Sequence, residues 1–260
     1  MQSSGKRIAD KIRYTPPVVR RVHVHQLQVG TISLKEGEAH HLRNVLRLQD
    51  GDLVELFDEQ GRVARGKVKF EGPTGVRVQV DSLLAIQDRS FQLVVASAVP
   101  KGDRADWMIE KLSELGVDRF IPLATERSVV LPTGTGKRQR WERLAIESAK
   151  QSHRPGVMRI DELTPLAAAI GTGSETPGWY LSTEAKTQPI GSMLALNLSG
   201  ELRLFIGPEG GWTDAERTAF AAAGLTGVGL TDTILRIETA AITAAAVVLC
   251  HARGVTKPVS

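Results

Sequence analysis

A chain of 260 residues with 42% apolar side chains can bury one large core or two modest ones. Its formal net charge of +4 makes it mildly basic, a weak pointer toward a polyanionic partner. Its single cysteine, Cys250, excludes an internal disulfide and a multi-cysteine zinc site, and within an alanine-rich run it reads as a buried, inert thiol. Met1 to Asp10 carries no signal peptide and Ala240 to Cys250 is too short to span a membrane, so a soluble cytoplasmic protein is expected.

Residues 1–17 read as a tail ending in Pro16-Pro17, a pair suited to an extended linker. From Lys6 to Arg21 the cations Lys6, Arg7, Lys11, Arg13, Arg20 and Arg21 face the acid Asp10. A solvated arm explains such a run, and contact with RNA is the functional alternative. Residues 18–87 read as a small β-rich domain with strands at Val22–Val24, Leu53–Phe57, Val63–Val68 and Val76–Val80. Asp50-Gly51, Glu59-Gln60-Gly61 and Gly72-Pro73-Thr74-Gly75 supply the turns. The insert His40 to Arg47 places Leu42, Val45 and Leu46 on a short helix with a basic face. Adjacent histidines diverge on a helix, so His40 and His41 are a poor metal pair, and no metal is expected.

Asp88 to Ser90 is the expected boundary to a second domain, 88–260, where strand and helix patterns alternate as in a parallel α/β sheet. Phe91–Val99 reads as a strand. After Lys101-Gly102-Asp103 comes a helix with Ala105, Met108, Ile109, Leu112 and Leu115 on one face, ended by Gly116. Arg119–Ala124 is the next strand, followed by Glu126-Arg127-Ser128. A helix from about Lys137 to Ser152 aligns Trp141, Leu144, Ala145, Ser148 and Ser152, and its many cations fit an ordinary solvated face. Val157–Ile160 and Trp179–Ser182 are shorter strands, and no internal repeat is evident.

The chemistry concentrates between Leu202 and Ala246. Leu202 to Ile206 reads as a buried strand, and Gly207-Pro208-Glu209-Gly210-Gly211 follows as a loop whose glycines let a ligand approach the main chain. Thr213-Asp214-Ala215-Glu216 has capping-box spacing, so a helix starts there. A second apolar run, Leu225 to Leu230, precedes Ile234-Leu235-Arg236-Ile237-Glu238-Thr239-Ala240, which opens a helix from about Thr239 to His251. The two loops are expected to leave the same end of neighbouring strands, the place where open α/β sheets bind ligands. Backbone groups there suit an adenine-like edge. Two tight turns without a ligand are the bland alternative.

Together, Ile206 to Gly211 and Ile234 to Ala240 resemble the paired C-terminal motifs of SPOUT-class RNA methyltransferases, and in particular the 16S rRNA (uracil-N3)-methyltransferase, or RsmE, family. The resemblance implies an α/β fold: a C-terminal SPOUT trefoil-knotted methyltransferase domain after an N-terminal PUA-like β-barrel that binds RNA. It implies S-adenosylmethionine (SAM) as cofactor, held by Ile206, Gly207, Pro208, Glu209, Gly210, Gly211, Leu230, Ile234, Leu235, Arg236, Thr239 and Ala240. It also implies a homodimer acting on 16S rRNA, within the small ribosomal subunit. His41, Val45-Leu46-Arg47 and Gly51-Asp52 match the N-terminal motif, and Lys101, Glu114-Leu115-Gly116-Val117 and Arg127-Ser128 match later blocks. Gln151 and Arg154 match a segment bordering the active site, where Lys150 and His153 depart from the usual acid and glycine. Arg20-Arg21-Val22-His23 lacks the family's aromatic residues, and Thr231 and Thr233 stand where glycine and arginine are usual.

Other ligand motifs are incomplete. Gly136-Lys137 lacks the rest of a P-loop, Gly171-Thr172-Gly173 and Gly227-Val228-Gly229 lack the third glycine of a dinucleotide fingerprint, and no Gly-x-Ser-x-Gly occurs. A non-catalytic RNA-binding protein with the same fold is the serious rival. Methylation at uracil N3 needs proton removal and positive charge near O2 or O4. Arg236 is the expected source of that charge, with Arg127 and Arg154 next, and Gln151 is placed to bond the uracil edge. Glu238 reads either as a base or as a carboxylate at a helix start. Arg20, Arg21, His41, Arg43, Arg47, Lys101 and Arg154 are the expected RNA contacts.

Overall fold

The computed structural model describes residues 20–84, 91–171, 176–184, 187–194 and 198–253. The expected tail and the expected boundary at 88–90 lie outside the described residues. None of the described helices is long and apolar enough to cross a membrane.

Five strands build the first sheet: β1 (Arg20–His23), β2 (Gly30–Ser33), β3 (Leu53–Phe57), β4 (Val63–Glu71) and β5 (Gly75–Leu83), in the order β1-β3-β4-β5-β2. β1 runs parallel to β3 and the remaining pairs are antiparallel. Period-two patterning sets the faces, since Ala64, Gly66 and Val68 are buried while Arg65, Lys67 and Lys69 are exposed. At Gly66 a Cβ would stand 2.4 Å from Val78 Cγ1, so only glycine lets β4 and β5 close there. β2 is an addition to the expected strands, with half-buried and exposed residues alternating over four positions. The helix expected at His40–Arg47 starts earlier, as α1 (Glu36–His40), and continues as a π-helical turn, His41–Val45. Leu42 plugs this insert into the core formed by Val22, Leu27, Val54, Leu56 and Val78.

The second unit runs β6 (Phe91–Ser97), α2 (Asp103–Leu115), β7 (Arg119–Ala124), α3 (Thr135–Gln151), β8 (Arg159–Ile160), β9 (Thr164–Pro165) and α4 (Leu166–Ile170). It continues with β10 (Gly178–Leu181), β11 (Gln188–Pro189), α5 (Ile190–Met193), β12 (Gly200–Ile206), α6 (Asp214–Ala222), β13 (Thr226–Gly229) and α7 (Ile237–Arg253). Its eight-stranded sheet has the order β11-β13-β10-β12-β6-β7-β8, with β9 on β7, and every pair is parallel. Helices cover both faces, as a parallel sheet requires. Leu93, Val95, Leu204 and Ile206 pack with Met108, Leu112, Ala241 and Ala245 from α2 and α7. Val94, Ala96 and Phe205 face Leu166 and Phe220 from α4 and α6. Gly116 ends α2 at φ 94°, where its N–H reaches back to Leu112 and Ser113, as its position predicts.

Two expectations change. β12 and β13 are not neighbours, because β10 lies between and pairs with both. All three are parallel, so their loops still leave one end of the sheet. From β13 the chain returns past β10 and β12 to seat α7 against α2 and β6. Cys250 is exposed rather than buried, because the inward stripe of α7 is Ala241, Ala244, Ala245, Val248 and Leu249.

The two units meet at the amino ends of the parallel strands. Arg21 reaches across from β1, donating from Nη1 to the carbonyls of Ala149 (2.8 Å) and Arg154 (2.9 Å) and from Nε to Glu55 (2.8 Å). Its guanidinium lies 4.3 Å from the Phe57 ring centroid. Gly156 abuts Gly61, where an added Cβ would meet the Gly61 Cα at 3.2 Å. Lys150 bonds Glu38 and Glu147, and these bonds outweigh burial to raise its pKa.

Candidate functional site

At the carboxyl ends of the parallel strands, segments following β6, β7, β12 and β13 are tied together by specific contacts. Gly211 N–H bonds the Pro208 carbonyl at 2.9 Å, closing a turn that leaves Glu209, Gly210 and Gly211 exposed, and Gly211 has φ 70°. The loop then folds back on itself. A Cβ on Gly207 would lie 2.9 Å from the Trp212 ring, whose Nε1 donates to the Leu181 carbonyl at 2.8 Å. The expected capping box is present: Thr213 Oγ1 accepts from Glu216 N–H and Glu216 Oε2 accepts from Thr213 N–H. The other oxygen of Glu216 accepts from Glu126 N–H at 3.0 Å, reaching the loop after β7. Next to that contact, Arg127 donates from Nη1 to the Gly210 carbonyl at 2.7 Å and lays its stem over Gly210.

The second loop leads into α7, where the Ala240 N–H bonds the Arg236 carbonyl at 2.8 Å. Ile237 and Glu238 turn inward, whereas Ile234, Arg236 and Thr239 are exposed. Leu230, Leu235 and Ala240 are half-buried. Glu238 Oε1 sits 3.4 Å from Arg104 Nη1, while its Oε2 is buried with no hydrogen-bond partner. An unsatisfied buried carboxylate oxygen is costly, and a ligand donor would relieve it. SAM, with hydroxyl and amino donors and an adenine edge, fits exposed main chain at 209–211, apolar side chains at 230 and 235, and this oxygen.

Several expected site residues therefore gather here: Ile206 to Gly211, Leu230, Ile234 to Arg236, Glu238 to Ala240, and Arg127. Lys101, exposed in the segment after β6, also lies at this end. Gln151 and Arg154 do not. They follow α3, whose 17 residues span about 25 Å at 1.5 Å per residue, to the other end of the sheet. Arg154 is 7% exposed, and its Nη1 donates to the carbonyls of Ser113 (2.9 Å) and Val117 (2.8 Å). Its Nη1 serves the interior, a placement that does not support the expectation that it binds RNA or uracil. Arg21 is likewise buried, held in the seam between the units. Arg43 stacks over Phe70 and donates to the Gly75 carbonyl, whereas Arg20, His41 and Arg47 are exposed.

Arg104, Trp212 and the reach of Glu216 to Glu126 were not anticipated. Arg104 carries a sequence signal, because a cation in the first turn of a helix opposes the helix dipole and calls for a nearby anion. Glu238 is that anion.

Comparison with known proteins identifies the family of both units. Residues 87–249 match an RNA methyltransferase domain family and residues 34–81 an RNA methyltransferase PUA domain family. The chain is 33% identical over 224 residues to ribosomal RNA small subunit methyltransferase E of Synechocystis, covering 83% of this chain and 71% of that protein. To the Bacillus subtilis protein of the same name it is 30% identical over 223 residues, covering 82% and 87%. Among solved structures, that enzyme from Neisseria gonorrhoeae bound to SAM superimposes with a TM-score of 0.77 at 26% identity, covering 88% and 96%. A Legionella pneumophila methyltransferase in complex with SAM gives 0.76 at 25% identity, covering 90% and 98%.

Proposed function

The chain belongs to the ribosomal RNA small subunit methyltransferase E family, and on that premise we propose that it methylates N3 of a uridine in 16S rRNA, as a cytoplasmic homodimer. The observation that carries this reading is the meeting of both glycine-bordered loops with Arg127 and the unpartnered Glu238 oxygen at one end of a parallel sheet. SAM supplies a methyl group on a positive sulfur, whose departure as a neutral thioether drives transfer. Neutral uracil N3 carries a proton and a conjugated lone pair, so that proton passes to solvent water as the N–CH3 bond forms. The charge gathering on O2 and O4 then needs a cation. Arg127 and Arg236 are the exposed arginines at this end, and Arg127 is steadied by the Gly210 carbonyl. Glu238, held by Arg104, is assigned to a hydrogen bond from SAM.

The dimer rests on two observations. Ile234 is 87% exposed, and Val129 and Leu131, in the loop after β7, are 64% and 48% exposed, apolar surface beside the site that a second copy would cover. The PUA domain also docks at the amino ends of the strands, so a second copy would bring an RNA-binding surface to the SAM loops. To test the activity, the full chain is incubated with SAM and small-subunit particles whose 16S rRNA lacks base methylation. Nuclease mapping with mass spectrometry should find one new methyl at a uridine N3. SAM binding by calorimetry without transfer to any rRNA would instead support the non-catalytic RNA-binding reading. A chain that stays monomeric at micromolar concentration in sedimentation would overturn the dimer.

A further inference from the structure

Methyl transfer makes no use of a cluster on the first sheet. His23 ends β1 and His25 follows two residues later, with ring centroids 5.4 Å apart and planes at 84°. Glu59, in the turn between β3 and β4, places Oε1 2.8 Å from His25 Nδ1 and 3.1 Å from His23 Nε2. These donor atoms lie within 4.8 Å of one another. The His23 side chain is 7% exposed, and its Nε2 makes no hydrogen bond even with Glu59 so near. A buried ring nitrogen left in that state needs an explanation. It points at the same spot as the Glu59 carboxylate and His25 Nδ1.

We propose that His23, His25 and Glu59 bind one divalent transition metal ion, with zinc the best match. Two imidazole nitrogens and a carboxylate oxygen form a donor set that zinc accepts readily. Zinc–ligand distances of about 2.0 to 2.2 Å in a tetrahedron place neighbouring donors about 3.4 Å apart. Glu59 would therefore withdraw slightly, and its side chain, at 38% exposed, has room to do so. The Lys35 ammonium sits against His25 Nε2. On binding, Nδ1 gives its lone pair to the ion, the single ring proton lies on Nε2, and the exposed Lys35 side chain swings into solvent. The Glu59 turn is already rigid, since buried Asp58 accepts the N–H groups of Leu27, Gln60 and Arg62. The two histidines also border a cavity of about 520 Å³, lined by Leu34, Glu38 and Glu147 among others, which can admit water as a fourth ligand. An ion here ties β1 to the 58–61 turn, whose Gly61 abuts Gly156 of the methyltransferase domain, and so stiffens the seam between the domains.

The full chain, first stripped with chelator, is titrated with Zn²⁺ by calorimetry and with Co²⁺ by visible absorption. One ion per chain and the intense bands of four-coordinate Co²⁺ are expected. His25→Ala should abolish the bands, and Glu59→Gln should weaken zinc binding by at least about a hundredfold, since losing a ligand costs more than the roughly tenfold to hundredfold of losing a group that only orients one. Saturating zinc should raise the wild-type melting temperature but not that of His25→Ala. Both altered side chains are partly exposed, so the metal-free variants should melt like wild type. Absence of stoichiometric binding overturns the proposal. So does binding that survives His25→Ala, which would place the ion on His40 and His41 or on Cys250 and His251.

Discussion

At the amino end of the parallel sheet, arginines hold the protein together. Arg154, Arg21 and Arg203 are each under 10% exposed and donate to main-chain carbonyls, those of Ser113 and Val117, Ala149 and Arg154, and Ala169 and Ile170 respectively. At the carboxyl end, Arg127 and Arg236 stay exposed beside loops whose residues 209–211 and 231–234 are themselves exposed. The same side chain thus serves opposite ends differently. Where peptide carbonyls converge in the interior, a guanidinium satisfies several acceptors at once and its burial is compensated. Where the main chain is open to solvent, it keeps donors available for a ligand.

The largest expected effect sharpens this contrast. Arg154→Ala should lower stability in urea unfolding by about 3 kcal/mol, because buried carbonyls lose a charged donor. SAM affinity of the folded fraction should not change. A fully stable variant that has lost methyl transfer would break the comparison and return Arg154 to the RNA side. Gly210→Trp should behave in the opposite way. Its SAM affinity should fall about a hundredfold, or ~2.7 kcal/mol, while unfolding shifts by no more than about 0.5 kcal/mol because the position is exposed. Calorimetry and urea titration of one preparation read both numbers.

A subtler pair probes how the carboxyl end is kept in order. Thr213→Ala and Glu216→Ala each break the capping box of α6, at about 1 kcal/mol. Only Glu216→Ala also releases Glu126 N–H, and with it the loop that carries Arg127. Its kcat should fall about tenfold further than that of Thr213→Ala, or ~1.4 kcal/mol in the barrier. Equal kcat values in the two variants would reduce Glu216 to a helix cap. The smallest effect is expected at Arg20, exposed on β1. Arg20→Ala should lower the log–log salt slope of RNA binding by about 0.7 to 0.9, the loss of one phosphate contact. An unchanged slope would leave that arginine as ordinary solvated surface.

Local rules made much of this protein legible. Gly116 as the end of α2 and Thr213 with Glu216 as the start of α6 depend on residues a few positions apart, so adjacent sequence carries them. The apolar periodicity of α2 and α3 is equally local. Very short elements such as β9, β11 and α5 escaped, because two to four residues cannot display a period. The loop after β12 was legible through its glycines, and so was the end of the sheet that both loops leave.

Residue type and spacing by themselves determined the α/β character of the second unit, the positions of its main helices and the places of its two loops. Tertiary structure alone decided that β10 lies between β12 and β13, since strand order depends on pairing between segments distant in sequence. It also decided which arginines are buried. A charged residue on an amphipathic helix or edge strand carries no sign of what will pack against it. Arg154 met carbonyls from the end of α2, while Arg127 met only the exposed turn at Gly210. Burial is a property of the neighbours, and those neighbours come from elsewhere in the chain.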